Sequence, residues 1–118
     1  MDFEKLAIYQ KALDFVDRVY ETTKPFPQAE LFGLTSQFRR AATSIVLNIA
    51  EGAGRDTKAD RRRFYTIARG SVFECIALIE ICRRRNFIDD KRAQSLKDDC
   101  EELSRMLHGL KSSLDHLK

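Results

Sequence analysis

The chain has 118 residues, of which 43% are hydrophobic and 33% charged, and its formal net charge is +3. This length fits one domain with one core, and the composition is that of a globular protein rather than a disordered one. Only two prolines and five glycines occur, too few for the turns of a β-rich fold, so an all-α protein is predicted. No apolar run could span a membrane and no signal-peptide pattern is present, so we expect a cytoplasmic protein.

Four segments carry apolar residues at alternating spacings of three and four, which predicts helices at about 4–22, 31–53, 58–86 and 90–117. The predicted core stripe of helix 1 is Leu6, Tyr9, Leu13, Val16 and Tyr20, widened by Ala12 and Val19. That of helix 2 is Leu34, Phe38, Ala41, Ile45 and Ile49. Gly33 is a candidate break near the start of helix 2, and Gly52 and Gly54 are its predicted stop.

Helix 3 is predicted to begin after a capping threonine, Thr57, and it is apolar on nearly every side. Its predicted inner stripe is Phe64, Ala68, Ser71, Cys75, Leu78 and Cys82. By helical arithmetic Phe73 and Ala77 face away from that stripe, as Leu47 does on helix 2. A four-helix monomer cannot cover these outer faces, so Leu47, Phe73 and Ala77 are predicted to form an oligomer interface.

Helix 4 carries an unbroken heptad stripe, which is typical of nearly antiparallel helix packing. The stripe consists of Ala93, Leu96, Cys100, Leu103, Leu107, Leu110, Leu114 and Leu117. Asp89 or Asp90 is its predicted cap. Four helices with short connectors predict an up-down-up-down four-helix bundle, a single domain over residues 1–118.

Neither a metal site nor a catalytic centre is indicated. The three cysteines, Cys75, Cys82 and Cys100, are an odd count without CxxC spacing and are expected to be buried free thiols. A di-metal bundle needs Glu-x-x-His pairs, and neither His108 nor His116 belongs to one. Nucleophilic catalysis needs a general base beside the nucleophile, and the two histidines are expected to be surface residues, so we expect no enzyme and no cofactor.

Positive charge is concentrated in the middle of the chain. Residues 31–86 hold 11 basic and 5 acidic residues, whereas the flanking parts are slightly acidic. The candidate phosphate-binding residues are Arg61, Arg62, Arg63, Arg69, Arg39 and Arg40. Few aromatic residues apart from Tyr65 lie between these arginines, so base stacking is not indicated. Binding should therefore be sequence-tolerant and salt-sensitive. The structural alternative is a solvated face with ion pairs to Asp56, Asp60 and Glu80.

A polar stripe runs beside the core of helix 2, formed by Ser44, Asn48, Glu51 and Arg55. Polar groups next to a core must be paired, so a structural network is predicted there, joined by Glu74 of helix 3. The same residues are also candidates for a small-ligand or enzymatic site, provided that they surround an open pocket.

Two motifs resemble the signature of the bacterial four-helix-bundle proteins called 23S rRNA intervening-sequence proteins. The first comprises residues 34–41, Ser44-Ile45, residues 48–52 and Arg55, and the second comprises residues 67–71 and Glu74. Pro27 and the Gly33-Leu34 pair also fit the signature of this family. The family is similar to the accessory protein of diversity-generating retroelements, a barrel-like homopentamer that binds nucleic acid through a basic surface and contacts a reverse transcriptase.

The resemblance implies the bundle fold and a pentamer. It also implies that the chain binds other copies of itself and either RNA or DNA or a partner protein. We therefore expect a non-enzymatic, homo-oligomeric nucleic-acid-binding bundle. The alternative is an adaptor that docks an acidic or reverse-transcriptase-like partner with no direct nucleic-acid role.

Overall fold

The structure is a computed structural model that describes residues 2–116, apart from the side chain of Lys5, and within them the chain forms four α-helices and no strand. These are α1 (Ala7–Thr23), α2 (Ser36–Ala53), α3 (Lys58–Arg84) and α4 (Asp90–Leu114). A 3₁₀ turn at Asp2–Lys5 precedes α1, and a second one at Gln28–Glu30 leads into a wide helical turn at Leu31–Thr35. The all-α prediction is confirmed.

Two predicted helix starts lie several residues too early. Helix α1 begins at Ala7 because the residues before it form the 3₁₀ turn. Helix α2 begins at Ser36 because Gly33, with φ −111° and ψ −113°, interrupts the helical path. The predicted break at Gly33 is thereby confirmed. At the other end of the chain, Leu117 and the predicted end of helix 4 lie outside the described residues.

The later helices begin and end with conventional caps. Thr57 Oγ1 accepts a hydrogen bond from the backbone N–H of Asp60 at 3.1 Å, which confirms the predicted cap of α3. The Asp89 carboxylate likewise accepts from the Arg92 N–H at 2.7 Å and begins α4. After α3, Asn86 has a φ of 62°, a left-handed conformation that asparagine tolerates and that turns the chain toward α4.

Each helix packs against the next one, and α1 also contacts α4, in a body of 50 × 24 × 21 Å. Arg62 near the start of α3 pairs with Asp115 just after the end of α4, and Glu80 near the end of α3 pairs with Lys97 in the first half of α4. These pairs show that α3 and α4 run in opposite directions. No helix of residues 2–116 combines the length and apolarity needed to cross a bilayer.

The core confirms the predicted stripes of α2 and α4, although Leu34 and Leu110 are only partly buried. The main stripe predicted for α1 is wrong, although Ala12 and Val19 at its edge are buried as predicted. The buried line of this helix is Ile8, Ala12, Phe15 and Val19, and the residues of the predicted main stripe lie beside it, partly buried, with Tyr20 exposed. Helix α1 is apolar on two adjacent faces, and only its neighbours determine which face is central.

In α3 the buried aromatic residue is Tyr65 and not the predicted Phe64, while Ala68, Ser71, Cys75, Leu78 and Cys82 are buried as predicted. All three cysteines are buried free thiols, as expected. Burial raises the pKa of Cys82 to about 11 and that of Cys100 to about 12, so both thiols stay protonated and poorly nucleophilic at neutral pH.

Gly52 sits inside α2 rather than beyond its end, and its role is close packing. A Cβ atom at this position would lie 2.5 Å from Cε1 of Tyr65 and 3.2 Å from Cβ of Phe64. Real Cβ atoms do not approach carbon atoms to 2.5 Å, so glycine is required for α3 to pack this closely on α2.

We predict that Gly52→Ala lowers the free energy of unfolding by about 1–3 kcal/mol through overpacking against Tyr65. Gly109→Ala is the matched control, since a Cβ there has no atom within 4 Å and alanine in a helix should add about 0.5–1 kcal/mol. Denaturant unfolding of the two variants checks both signs. Equal or greater stability of Gly52→Ala would contradict the packing role.

Candidate nucleic-acid interface

The predicted polar stripe is split into separate groups. Asn48 Nδ2 donates to the carbonyl oxygen of Ser44 at 2.8 Å and lies 3.0 Å from Ser44 Oγ. Ser44 Oγ is 2.9 Å from Ser71 Oγ of α3, and so the group joins the two helices. The sequence predicts Ser71 in the core stripe and not in this network, because the register between two helices is not encoded in the spacing along either one.

The other stripe residues lie elsewhere. Arg55 Nη2 pairs with Glu51 Oε2 at 3.0 Å on the surface. Glu74 lines a hollow of about 380 Å³ with Arg40, without forming an ion pair with it. The five residues therefore do not converge on one pocket, and their geometry does not favour the small-ligand alternative. No cluster of three metal-ligating side chains occurs among residues 2–116 either.

Two arginines stack on Phe64 at the turn between α2 and α3, and a third holds the turn itself. The guanidinium carbons of Arg55 and Arg63 lie 4.6 and 4.7 Å from the Phe64 ring centroid. Arg61 Nε donates to the carbonyl oxygen of Arg55 at 2.7 Å and fixes the turn. We call Arg55, Arg61 and Arg63 the turn arginines. Stacking on the ring orients both guanidinium groups. The N–H donors of Arg63 remain available to an anion, whereas Arg55 donates from Nη2 to Glu51 and its Nε is buried.

The remaining residues predicted to bind phosphate differ in the contacts that their side chains already make. Arg62 forms an exposed ion pair with Asp115, a type of pair that contributes little to stability and can be exchanged for a phosphate. Arg69 lies over the ring of Phe73 at 5.2 Å. Tyr65 is buried, so it cannot stack on a base.

Arg39 and Arg40 lie near the start of α2, away from the turn. Arg39 Nε donates to Thr23 Oγ1 at 2.8 Å, and its guanidinium stacks on Tyr20 at 4.5 Å. Arg40 is exposed and has no hydrogen bond or ion pair in the described part of the chain. Both line a groove of about 620 Å³ that runs along α2 and is bordered by Tyr20, Phe32 and Leu47.

At the far end of α3 three cations are held by one carboxylate. Glu80 accepts hydrogen bonds from Arg83 at 2.7 Å, Lys97 at 2.8 Å and Arg84 at 3.2 Å. These three cations hold the pKa of the Glu80 carboxyl well below its usual range, with Arg83 the largest contributor. The alternative of a solvated, ion-paired face therefore describes this end of α3 better than the turn.

We predict that Glu80→Gln lowers the melting temperature at pH 7. A carboxyl whose pKa is lower in the folded than in the unfolded state stabilises the fold at every pH above its unfolded pKa, which is about 4.3. This stabilisation is lost as the pH falls through the folded-state pKa. The difference between the parent and Glu80→Gln should be full at pH 7 and shrink below about pH 4.

Thermal unfolding followed by circular dichroism across this pH range is the measurement, with Glu101→Gln as a control at an exposed glutamate of α4. A difference that is absent at pH 7, or that does not change with pH, would count against the ion cluster.

The predicted interface residues are all on the surface. Leu47 is 58% exposed and Phe73 is 50% exposed, and Ala77 of α3 is exposed as well. Exposed apolar residues on neighbouring helices are a feature of interaction surfaces.

Comparison with known proteins identifies one family. The sequence model of the family described as 23S rRNA-intervening sequence protein matches residues 4–109. A solved structure of a protein of unknown function from the S23 ribosomal protein family of Bacteroides thetaiotaomicron is similar, with a TM-score of 0.80. It is 24% identical and covers 89% of this chain and 98% of its own, which shows a shared fold. No curated protein matches the chain.

Proposed function

The chain belongs to the 23S rRNA-intervening sequence protein family, and we propose that it is a non-enzymatic, cytoplasmic, homo-oligomeric bundle that binds RNA or DNA. In this proposal the helices alternate up, down, up and down, and copies assemble into a pentamer as in the accessory protein of diversity-generating retroelements. Leu47, Phe73 and Ala77 are covered by neighbouring copies. The proposal includes no membrane and no cofactor.

The observation that carries this proposal is the arrangement of the turn arginines around Phe64. Arg63 is exposed and stacks on the ring, and no carboxylate among residues 2–116 pairs with it, so its donors remain available. Arg62, held only by an exposed ion pair, lies next to it in the sequence. Pre-oriented guanidinium groups suit phosphate oxygens, which accept from them bidentately. Phosphate contacts give affinity without base recognition.

Arg39 is the least suited of the six predicted ligands. Its Nε is used by Thr23 and its guanidinium face by Tyr20, so its main role is to fix the side of the groove. Arg61 is similarly committed through its Nε to the Arg55 carbonyl. The phosphate-binding role therefore falls first on Arg63 and Arg62, with Arg69 next.

We predict that the double reversal Arg62→Glu with Arg63→Glu weakens binding to a fluorescein-labelled RNA of about 30 nucleotides by about tenfold or more, because two phosphate-binding cations are replaced by repulsive anions. The weakening should be similar for RNAs of different sequence. The slope of log Kd against log salt should fall by about one for each phosphate-binding arginine that is removed. Fluorescence anisotropy over a range of salt concentrations is the measurement.

The matched control is Arg92→Glu with Arg105→Glu, which makes the same change in net charge on the exposed surface of α4. It should change the affinity far less. Equal weakening in the two double variants would show that only net charge matters and would contradict a site at the turn.

The adaptor alternative rests on the same cations, since a patch of one sign also suits an acidic protein surface. The RNA titration separates the two functions, because an adaptor has no appreciable affinity for RNA at moderate salt. Absence of RNA binding by the parent would favour the adaptor.

A further inference from the structure

The large hydrophobic residues that remain exposed fall into two sets on different parts of the surface. Six are exposed among residues 2–116, namely Tyr20, Phe32, Leu47, Ile67, Phe73 and Ile81. The first three border the groove along α2. The last three lie on the outer side of α3. The first set surrounds a hollow, and the second set protrudes from a helix. The two surfaces therefore have complementary shapes and could pack together.

The groove is held in shape before anything binds to it. Phe32 is 93% exposed, yet its turn is fixed, because the Glu30 carboxylate accepts a hydrogen bond from the Leu34 N–H at 3.3 Å. On the opposite side Arg39 is fixed by Thr23, whose hydroxyl in turn donates to the Val19 carbonyl oxygen at 2.8 Å. A groove that needs no rearrangement loses little conformational freedom on binding.

We call the outer line of Gly70, Phe73, Ala77 and Ile81, together with Ile67, the α3 ridge. The small residues Gly70 and Ala77 lie three positions before and four positions after Phe73, on the same face of the helix, so the phenyl ring projects beyond its neighbours. From Ile67 to Ile81 the ridge extends over about 21 Å at ~1.5 Å per residue.

The two surfaces offer groups of opposite charge, although the ridge carries both signs because Arg69 stacks on Phe73 at 5.2 Å. The lining of the groove includes Arg39 and Arg40 and contains no aspartate or glutamate. Glu74 follows Phe73 on the ridge, is exposed, and forms no hydrogen bond or ion pair within the residues described. A Glu74 carboxylate brought beside Phe73 into the groove would meet Arg39 and Arg40, of which Arg40 also borders Glu74 of its own copy.

We propose that the α3 ridge of one copy packs across the α2 groove of a second copy of this chain. The contact is head-to-tail, because the two surfaces are different parts of the molecule, and each copy keeps one free groove and one free ridge until a ring closes. This inference rests on the proposed homo-oligomer and goes further by naming the two surfaces that meet.

The test uses two variants that each damage one surface. Leu47→Asp places a charge in the groove and leaves the ridge intact, whereas Phe73→Asp damages the ridge and leaves the groove intact. Both positions are exposed, so the fold should persist, which circular dichroism checks. Each variant alone should run in light scattering as a monomer of 13.6 kDa.

An equimolar mixture of the two variants should form a 1:1 heterodimer and no larger species. The ridge of the Leu47→Asp chain fits the groove of the Phe73→Asp chain, and the surfaces left over are both damaged. His108→Asp, an exposed change on α4, is the control and should assemble like the parent.

The outcomes separate this inference from the proposed function. A parent that is monomeric at high concentration contradicts the homo-oligomer itself. A parent that assembles while the mixed variants stay monomeric, or while either variant alone still assembles, contradicts ridge-in-groove packing and leaves the homo-oligomer standing. If Leu47→Asp alone assembles like the parent, the groove is open for another partner and the inference fails.

Discussion

The close approach of α2 and α3 is the constraint on which the rest of the molecule depends. It is made possible by Gly52, which lets Tyr65 lie against the backbone of α2, and by the hydroxyl contact between Ser44 and Ser71. Packing at this distance leaves no room for a side chain at position 52. Several of the larger apolar residues of both helices are in the core, and others are on the outside.

Two functional features follow from this arrangement. The outer apolar residues of α2 and α3 give the bundle a groove and a ridge, which another molecule can cover. The tight pair also ends in a short turn, where Phe64 is held between Arg55 and Arg63. The other end of α3 is also rich in arginine, but there Arg83 and Arg84 are hydrogen-bonded to Glu80. Assembly and anion binding are thereby assigned to different parts of the same helix pair.

Much of the fold could be predicted because its signals are local. The leucine heptads of α4, the Thr57 cap and the break at Gly33 each depend on a few neighbouring residues, and all three are confirmed. The errors concern choices that depend on other helices. The sequence cannot tell Tyr65 from Phe64 as the buried ring without Gly52 opposite, nor the Ile8 line of α1 from the Tyr9 line. The partners of the arginines depend on the tertiary structure in the same way, so the sequence predicts the residue types of the site and not their arrangement.

The central claim is that sister copies cover the outer side of α3, and the solvent exposure of the Phe73 ring measures this most directly. Hydroxyl-radical footprinting with mass spectrometry reports the oxidation rate of that ring at low and high protein concentration. The account predicts a rate that falls several-fold as the protein is concentrated, while His108 on α4 is modified equally at both concentrations. Equal oxidation of Phe73 at both concentrations, in a chain that stays monomeric, would contradict it.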